Sequence, residues 1–179
     1  MREDIIFAGF GGQGIMFMGK MLSYTAMNEG LFVTWMPSYG AEVRGGTAHS
    51  MIIIDDSAIA SPVVKEPSVC VVMNKPSFDK FEAKVKEKGL LVINSSLVKD
   101  SSRRKDIEIL QVPATDIAFK LGNQRIANMV MLGALVAARK IVTPESLIRS
   151  LIELIPENRK ALLSINQEAI KQGYEYSSR

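Results

Sequence analysis

The stretch "DIIFAGFGGQGIMFMGKMLSYTAMNEG" (Asp4–Gly30) decides how the chain is read. Asp4–Ala8 is a short apolar run bounded by charge and glycine, the pattern of a buried strand. Gly9, Gly11, Gly12 and Gly14 follow within six positions. Beyond them Ile15, Met18, Leu22 and Ala26 recur at helical spacing, Gly19 leaves room for close packing, and Gly30 is placed to end the helix. Gly9, Gly11 and Gly14 also satisfy the G-x-G-x-x-G spacing of dinucleotide-binding turns. Strand, glycine turn and helix together predict the first unit of an α/β fold.

Working outward, "LFVTW" (Leu31–Trp35) reads as a second strand closing a right-handed βαβ unit. "HSMIIID" is a third, and a turn at Asp55–Ser57 predicts a hairpin between "MIIID" and "AIASPVV", which would make a largely parallel sheet mixed. Ser68–Met73 and "LLVIN" are further buried strands. Between them "KPSFDKFEAKVKEKG" carries Pro76 early, Phe78, Phe81 and Val85 at helical spacing, and Gly89 at the stop. Ile107–Ala114 is the last strand. Helices are then expected over Thr115–Leu121, Ile126–Lys140, Pro144–Leu154 and Pro156–Gly173, with Thr143 capping the third. No boundary or repeat interrupts this alternation, so the expectation is one domain over 1–179. Its fold is three-layer α/β/α, with ligands bound beyond the carboxyl ends of the strands.

The 179 residues are 47% hydrophobic and 23% charged, with mean hydropathy +0.11 and net charge +3. That composition suits a globular core with apolar surface to spare for an interface. The basic residues are scattered apart from Arg103, Arg104 and Lys105, which argues against nucleic acid. No run approaches a membrane span, and Arg2, Glu3 and Asp4 do not open a signal pattern, so a cytoplasmic chain is expected. Cys70 is the one cysteine and His49 the one histidine. The chain alone therefore builds no disulfide framework, zinc site or iron–sulfur cluster. Cys70 reads as a core thiol, His49 as a polar residue entering a strand.

Ordinary nicotinamide recognition needs an acid at the end of the second strand to bind the ribose. Trp35, Met36, Pro37 and Ser38 stand there instead. The glycine turn still suits a phosphate, because backbone N–H groups at a helix N-terminus bind any anion. It equally suits a tight turn with no ligand. Glu42 and Arg44 in "GAEVRGG" offer an acid/base pair and an anion clamp, or an ion pair at an interface. No nucleophile elbow or zinc motif occurs, and Lys20 lies too far past the turn for a Walker lysine.

Five segments, "GFGGQGIMFMGKML", "VTWMPSYGAEVRGGTA", "SPVV", "PATDIAFKLGNQRIANMVMLGAL" and "NQEAIKQGYEY", together resemble the gamma subunit of the 2-oxoacid:ferredoxin oxidoreductases over nearly the whole chain. "TWMPSYG" and "SPVV" look most like the 2-oxoglutarate branch, with the branched-chain 2-oxoacid and pyruvate branches as alternatives. The resemblance implies one subunit of an enzyme that joins a 2-oxoacid to coenzyme A, releases carbon dioxide and reduces ferredoxin, and that is inactive alone. Thiamine diphosphate and the iron–sulfur clusters are then expected on partner alpha and beta subunits, with a delta subunit as a further candidate. Self-association is expected of the isolated chain. By position, Gly9, Gly11, Gly12, Gln13 and Gly14 become the candidate coenzyme A loop, with Ser38 and Arg44 from a second loop facing the same crevice. A purely structural scaffold is the competing reading. Asn128, Met129 and Met131 are expected in core or subunit packing.

Overall fold

A computed structural model describes residues 1–38 and 47–178. Among these residues six strands form one sheet: β1 (Arg2–Gly9), β2 (Phe32–Ser38), β3 (Ala48–Asp55), β4 (Val69–Val72), β5 (Leu90–Asn94) and β6 (Glu108–Val112). The helices are α1 (Ile15–Asn28), α2 (Lys75–Phe81), α3 (Ala114–Lys120), α4 (Ala127–Arg139), α5 (Pro144–Leu154) and α6 (Leu163–Ser177). Short 3-10 turns cover Glu82–Lys84, Gln124–Ile126 and Glu157–Leu162. The strand order is β2-β3-β1-β4-β5-β6. β3 runs antiparallel to both of its neighbours, whereas β1, β4, β5 and β6 pair in parallel. The largely parallel but mixed sheet is thus present, and its one reversed strand lies inside it.

That position corrects the expected hairpin. Residues 56–68 contain no strand. With β1 on one side of β3 and β2 on the other, no edge remains for "AIASPVV" to pair with, and Pro62 has no N–H to offer. β1 and β2 are parallel, as a βαβ unit requires, but β3 is inserted between them.

The layers are unequal. Ile5, Phe7, Ile52, Ile54, Val71 and Val92 point to the face covered by α1 and α3–α6. Ile6, Ala8, Ile53, Cys70, Val72 and Ile93 point the other way, beneath α2, the 3-10 turn and the flanking connections. Alternation along each strand produces both faces, so β1 and β4 read as continuous apolar runs. In α1 the expected Ile15, Met18, Leu22 and Ala26 stripe is buried, and Gly30 at φ +85 ends the helix. Thr143 caps α5 by accepting the Ser146 N–H at 3.2 Å. α2 stops at Phe81, short of Gly89, because Val85 turns extended and drops into the second core while Arg104 Nη1 takes the Glu82 and Val85 carbonyls. α6 runs past Gly173, whose purpose is packing: a Cβ there would lie inside 3.0 Å of Val130 O, as one at Gly133 would of Ile170 O.

Candidate functional site

β1 and β4 are parallel neighbours whose following helices leave to opposite faces, α1 to one and α2 to the other. Such a switch point opens a crevice beyond the carboxyl ends of the two strands. The glycine turn, following β1, stands on one side of that position and Met73–Asn74, following β4, on the other.

The turn is built by hydrogen bonds. Gln13 N–H donates to Phe10 O at 3.2 Å, closing a tight turn across Gly11 and Gly12. Gly12 (φ +91) and Gly14 (φ +74) take left-handed backbone, which only glycine adopts without cost. Gly14 is the N-cap of α1 and supplies no side-chain cap, so the first helical N–H groups lack a capping side chain. No acidic residue lies in the first turn of α1.

Gln13 ties the two sides together. Its Oε1 accepts from Phe10 N–H at 2.7 Å and from Asn74 Nδ2 at 2.9 Å, and its Nε2 donates to Met73 O at 3.4 Å. Asn74 in turn caps α2, its Oδ1 accepting from Ser77 N–H at 2.9 Å. Asn128, buried on α4, directs Nδ2 at Gly14 O from 3.5 Å and fills the space that a side chain at Gly14 would need. At Gly9 an added Cβ would strike Gln13 Oε1 and Ile15. At Gly12 it would meet nothing within 4 Å, so that stretch of backbone faces open space.

The structure therefore brings Gly9, Gly11, Gly12, Gln13 and Gly14 together. Ser38 sits at the same end of the sheet, paired in register with His49, which is itself opposite Ala8. It is two strand spacings from β1, about 10 Å. Trp35 Nε1 donates to Ser50 Oγ at 2.8 Å beside Gly19 of α1, so by alternation Ser38 and His49 face the opposite side of the sheet. Glu42 and Arg44 lie outside the described residues. The sequence reading missed Asn74 and Asn128 as builders of the crevice. Their signals were present: Asn-x-Pro-Ser after a strand is a helix-cap pattern, and Asn128 is the polar interruption of an apolar helix.

His49 packs its ring on Phe81 at a centroid distance of 5.3 Å. Burial pushes the Cys70 thiol far above its ordinary range, so it stays protonated and inert. Among the described residues no group of three His, Cys, Asp or Glu side chains is placed to hold a metal ion, and no helix is long and apolar enough to cross a membrane.

An open α/β sheet with a glycine turn at its switch point and no ribose acid defines an α/β ligand-binding or subunit chain outside the ordinary dinucleotide type. Comparison with known proteins makes this specific. The chain belongs to the pyruvate ferredoxin/flavodoxin oxidoreductase family, whose model matches residues 4–176. Ketoisovalerate oxidoreductase subunit VorA of Methanothermobacter marburgensis is 34% identical over 95% of the chain, which spans 35% of that relative's length. 2-Oxoglutarate synthase subunit KorC of Methanocaldococcus jannaschii is 33% identical over 98% of the chain and 94% of its own length. The crystal structure of a keto/oxoacid ferredoxin oxidoreductase gamma subunit from Geobacter sulfurreducens superimposes with a TM-score of 0.85 at 28% identity, covering 98% of both chains. The fold is also shared, at TM-score 0.89 and 22% identity, with 31% of a 2-oxoglutarate:ferredoxin oxidoreductase chain from Magnetococcus marinus, solved with 2-oxoglutarate, coenzyme A and succinyl-CoA bound.

Proposed function

We propose that the chain is the gamma subunit of a 2-oxoacid:ferredoxin oxidoreductase, a single domain over 1–179 that contributes to coenzyme A binding and to subunit packing. In this reading alpha and beta partners, with a delta subunit as a further candidate, carry thiamine diphosphate and the iron–sulfur clusters, and ferredoxin takes the electrons. The complex is cytoplasmic. 2-Oxoglutarate is the preferred substrate, supported by the nearly full-length match to a 2-oxoglutarate synthase subunit. The VorA match keeps branched-chain 2-oxoacids as the alternative.

The observation that carries the coenzyme A reading is the open backbone at Gly12, beside an N-terminus of α1 that no side chain caps. Gly11, Gly12 and Gly14 are the residues whose N–H groups would face a phosphate, with Gly9 permitting the tight approach. Gln13 has a different part: its N–H is already engaged by Phe10 O, and its amide holds the loop against Met73 and Asn74. Arg44 and Ser38 stay in the proposed set, Arg44 as a clamp on the anion and Ser38 as the more distant member, at the end of β2 and on the other face of the sheet. A scaffold reading is favoured by one fact, that Gln13 already satisfies much of the crevice from within.

The two part on kinetics of the assembled complex. Gly12→Val should raise the Michaelis constant for coenzyme A about 10- to 100-fold, the loss of a charge-assisted contact, while carbon dioxide release without coenzyme A persists. Arg44→Ala should act in the same direction. Unchanged constants in both variants would leave only the scaffold. The chain purified alone should neither reduce dye with a 2-oxoacid nor carry iron.

A further inference from the structure

β2 ends the sheet on one side, and among the described residues no hydrogen bond from outside β3 reaches its backbone. Its residues, "FVTWMPS", are all uncharged. Pro37 lies inside the pairing with β3, opposite Ser50, yet has no N–H to give that strand. A proline in a strand is accommodated when its nitrogen faces the open side. In an antiparallel pair the backbone groups of successive residues face alternate sides, so the N–H and C=O groups of Val33 and Trp35 face outward with those of Pro37. The side chains alternate as well. Val33 packs on the larger core and Trp35 Nε1 donates to Ser50 Oγ, both on the α1 face, while Phe32, Thr34 and Met36 share the other.

We propose that two copies of this chain join β2 to β2 across a twofold axis at Thr34, so that the sheet of one copy continues into the other. The axis sets Val33 opposite Trp35 of the second copy and Trp35 opposite its Val33. Both residues have outward backbone, so each pair exchanges N–H···O bonds in both directions. The half-exposed Phe32 then meets Met36 of the second copy, and Thr34 meets Thr34, at positions where facing side chains approach most closely. Moving the axis to Trp35 would set Val33 against Pro37, which returns no N–H, and leave Phe32 over Ser38. Proline and apolar pattern therefore select one register. Like charges on an edge ordinarily forbid this contact, and here none oppose each other across the axis. A strand from another chain would have to match this pattern, whereas a second copy matches it by symmetry. The contact needs only this chain and does not rest on the coenzyme A reading.

The test uses the full chain in solution. Sedimentation equilibrium should show a dimer at high concentration, and amide hydrogen exchange at Val33 and Trp35 should slow as it forms, while Thr34 and Met36, already bonded to β3, change little. Thr34→Cys should give a covalent dimer on oxidation with copper phenanthroline, because residues facing each other at such positions hold their Cβ atoms about 4.5–5.5 Å apart, near the span of a disulfide. The native Cys70 is buried and does not compete. Phe32→Lys should weaken the dimer about 10-fold, since symmetry removes the same apolar pair twice. Phe32→Lys/Met36→Glu should restore it, because residues 32 and 36 face each other only across the axis. An unchanged circular dichroism spectrum separates dispersal from misfolding, and should Phe32→Lys fail to fold, exchange and cross-linking decide alone. A monomer at every concentration overturns the proposal. So does a dimer in which Val33 and Trp35 exchange freely, or one that Trp35→Cys traps and Thr34→Cys does not. Protection of the edge only when alpha and beta subunits are added to a monomeric chain would likewise overturn it and assign the edge to a partner strand.

Discussion

Gly12 and Gly14 stand two residues apart, both at positive φ, and answer to different constraints. At Gly14 the left-handed backbone and the Asn128 amide act together, so Gly14→Ala meets a conformational cost of about 1–2 kcal/mol and a steric one besides. Its midpoint in denaturant should fall with unchanged slope, and Asn128→Ala in the same chain should recover part of the loss. Gly12 has no such neighbour, so Gly12→Asn should fold almost normally, Asn being the residue that best tolerates positive φ. A loss of coenzyme A affinity in that variant would then report on the ligand and not on the fold. Gln13→Ala removes the acceptor for Phe10 and Asn74 together; water can replace it at the exposed Phe10 N–H, but leaving the buried Asn74 amide unpaired costs about 1–3 kcal/mol. The glycines were legible in the sequence because a turn is a local matter. Gln13 was legible as a member of the motif only; its partners Met73 and Asn74 lie some sixty positions away, and no local pattern connects them.

At the scale of elements, α4 and α6 pack backbone against backbone, where Gly133 faces Ile170 O and Gly173 faces Val130 O. Alanine is the better helix former by about 1 kcal/mol, which taken alone would make Gly173→Ala stabilising. The steric term decides otherwise. A backbone carbonyl cannot swing aside as a side-chain tip can, so both Gly133→Ala and Gly173→Ala should destabilise by about 3 kcal/mol, read from thermal or denaturant unfolding. This also explains why the sequence placed a helix stop at Gly173: glycine signals an end and a close contact alike, and only the partner helix distinguishes them. A second joint links the end of α1 to the start of α5, where Glu29 accepts from Thr143 N–H at 2.9 Å and Thr143 Oγ1 at 2.8 Å. Burial alone would raise the Glu29 carboxyl, but these bonds, with Ser146 and Arg149 nearby, hold it below its ordinary value. A depressed carboxylate contributes stability above its unfolded pKa and loses it as pH falls through the folded one. Stability should therefore drop on acidification below the usual carboxylate range by less in Glu29→Gln than in the unaltered chain, a modest difference because the side chain is exposed.

For the whole molecule, the sheet leaves β2 as an outer edge among the described residues, and "FVTWMPS" carries no charge along it. Phe32 is 52% exposed and Trp35 38%. Natural edges are ordinarily guarded by lysine, proline or a bulge, and here Pro37 is the only such guard. The isolated chain should self-associate in sedimentation at high concentration, and Phe32→Lys should shift it toward monomer. The strand order itself was out of reach of the sequence, since periodicity identifies strands without saying which lie side by side. Every strand from β1 to β6 was foreseen, yet β3 was assigned a neighbour that does not pair with it. Its true place between β1 and β2 bears on how the protein is made. The two neighbours of β1 begin at Ala48 and Val69, so a nascent chain bearing only β1 and α1 has nothing to close against. At about 5–20 residues per second, Ile5, Phe7, Met18 and Leu22 remain uncovered for seconds on the ribosome, within the time a chaperone needs to bind them. Ribosome-bound chains halted before residue 48 should be protease-sensitive and trigger chaperone capture, and protection should begin once β3 has emerged to bridge the two parallel strands.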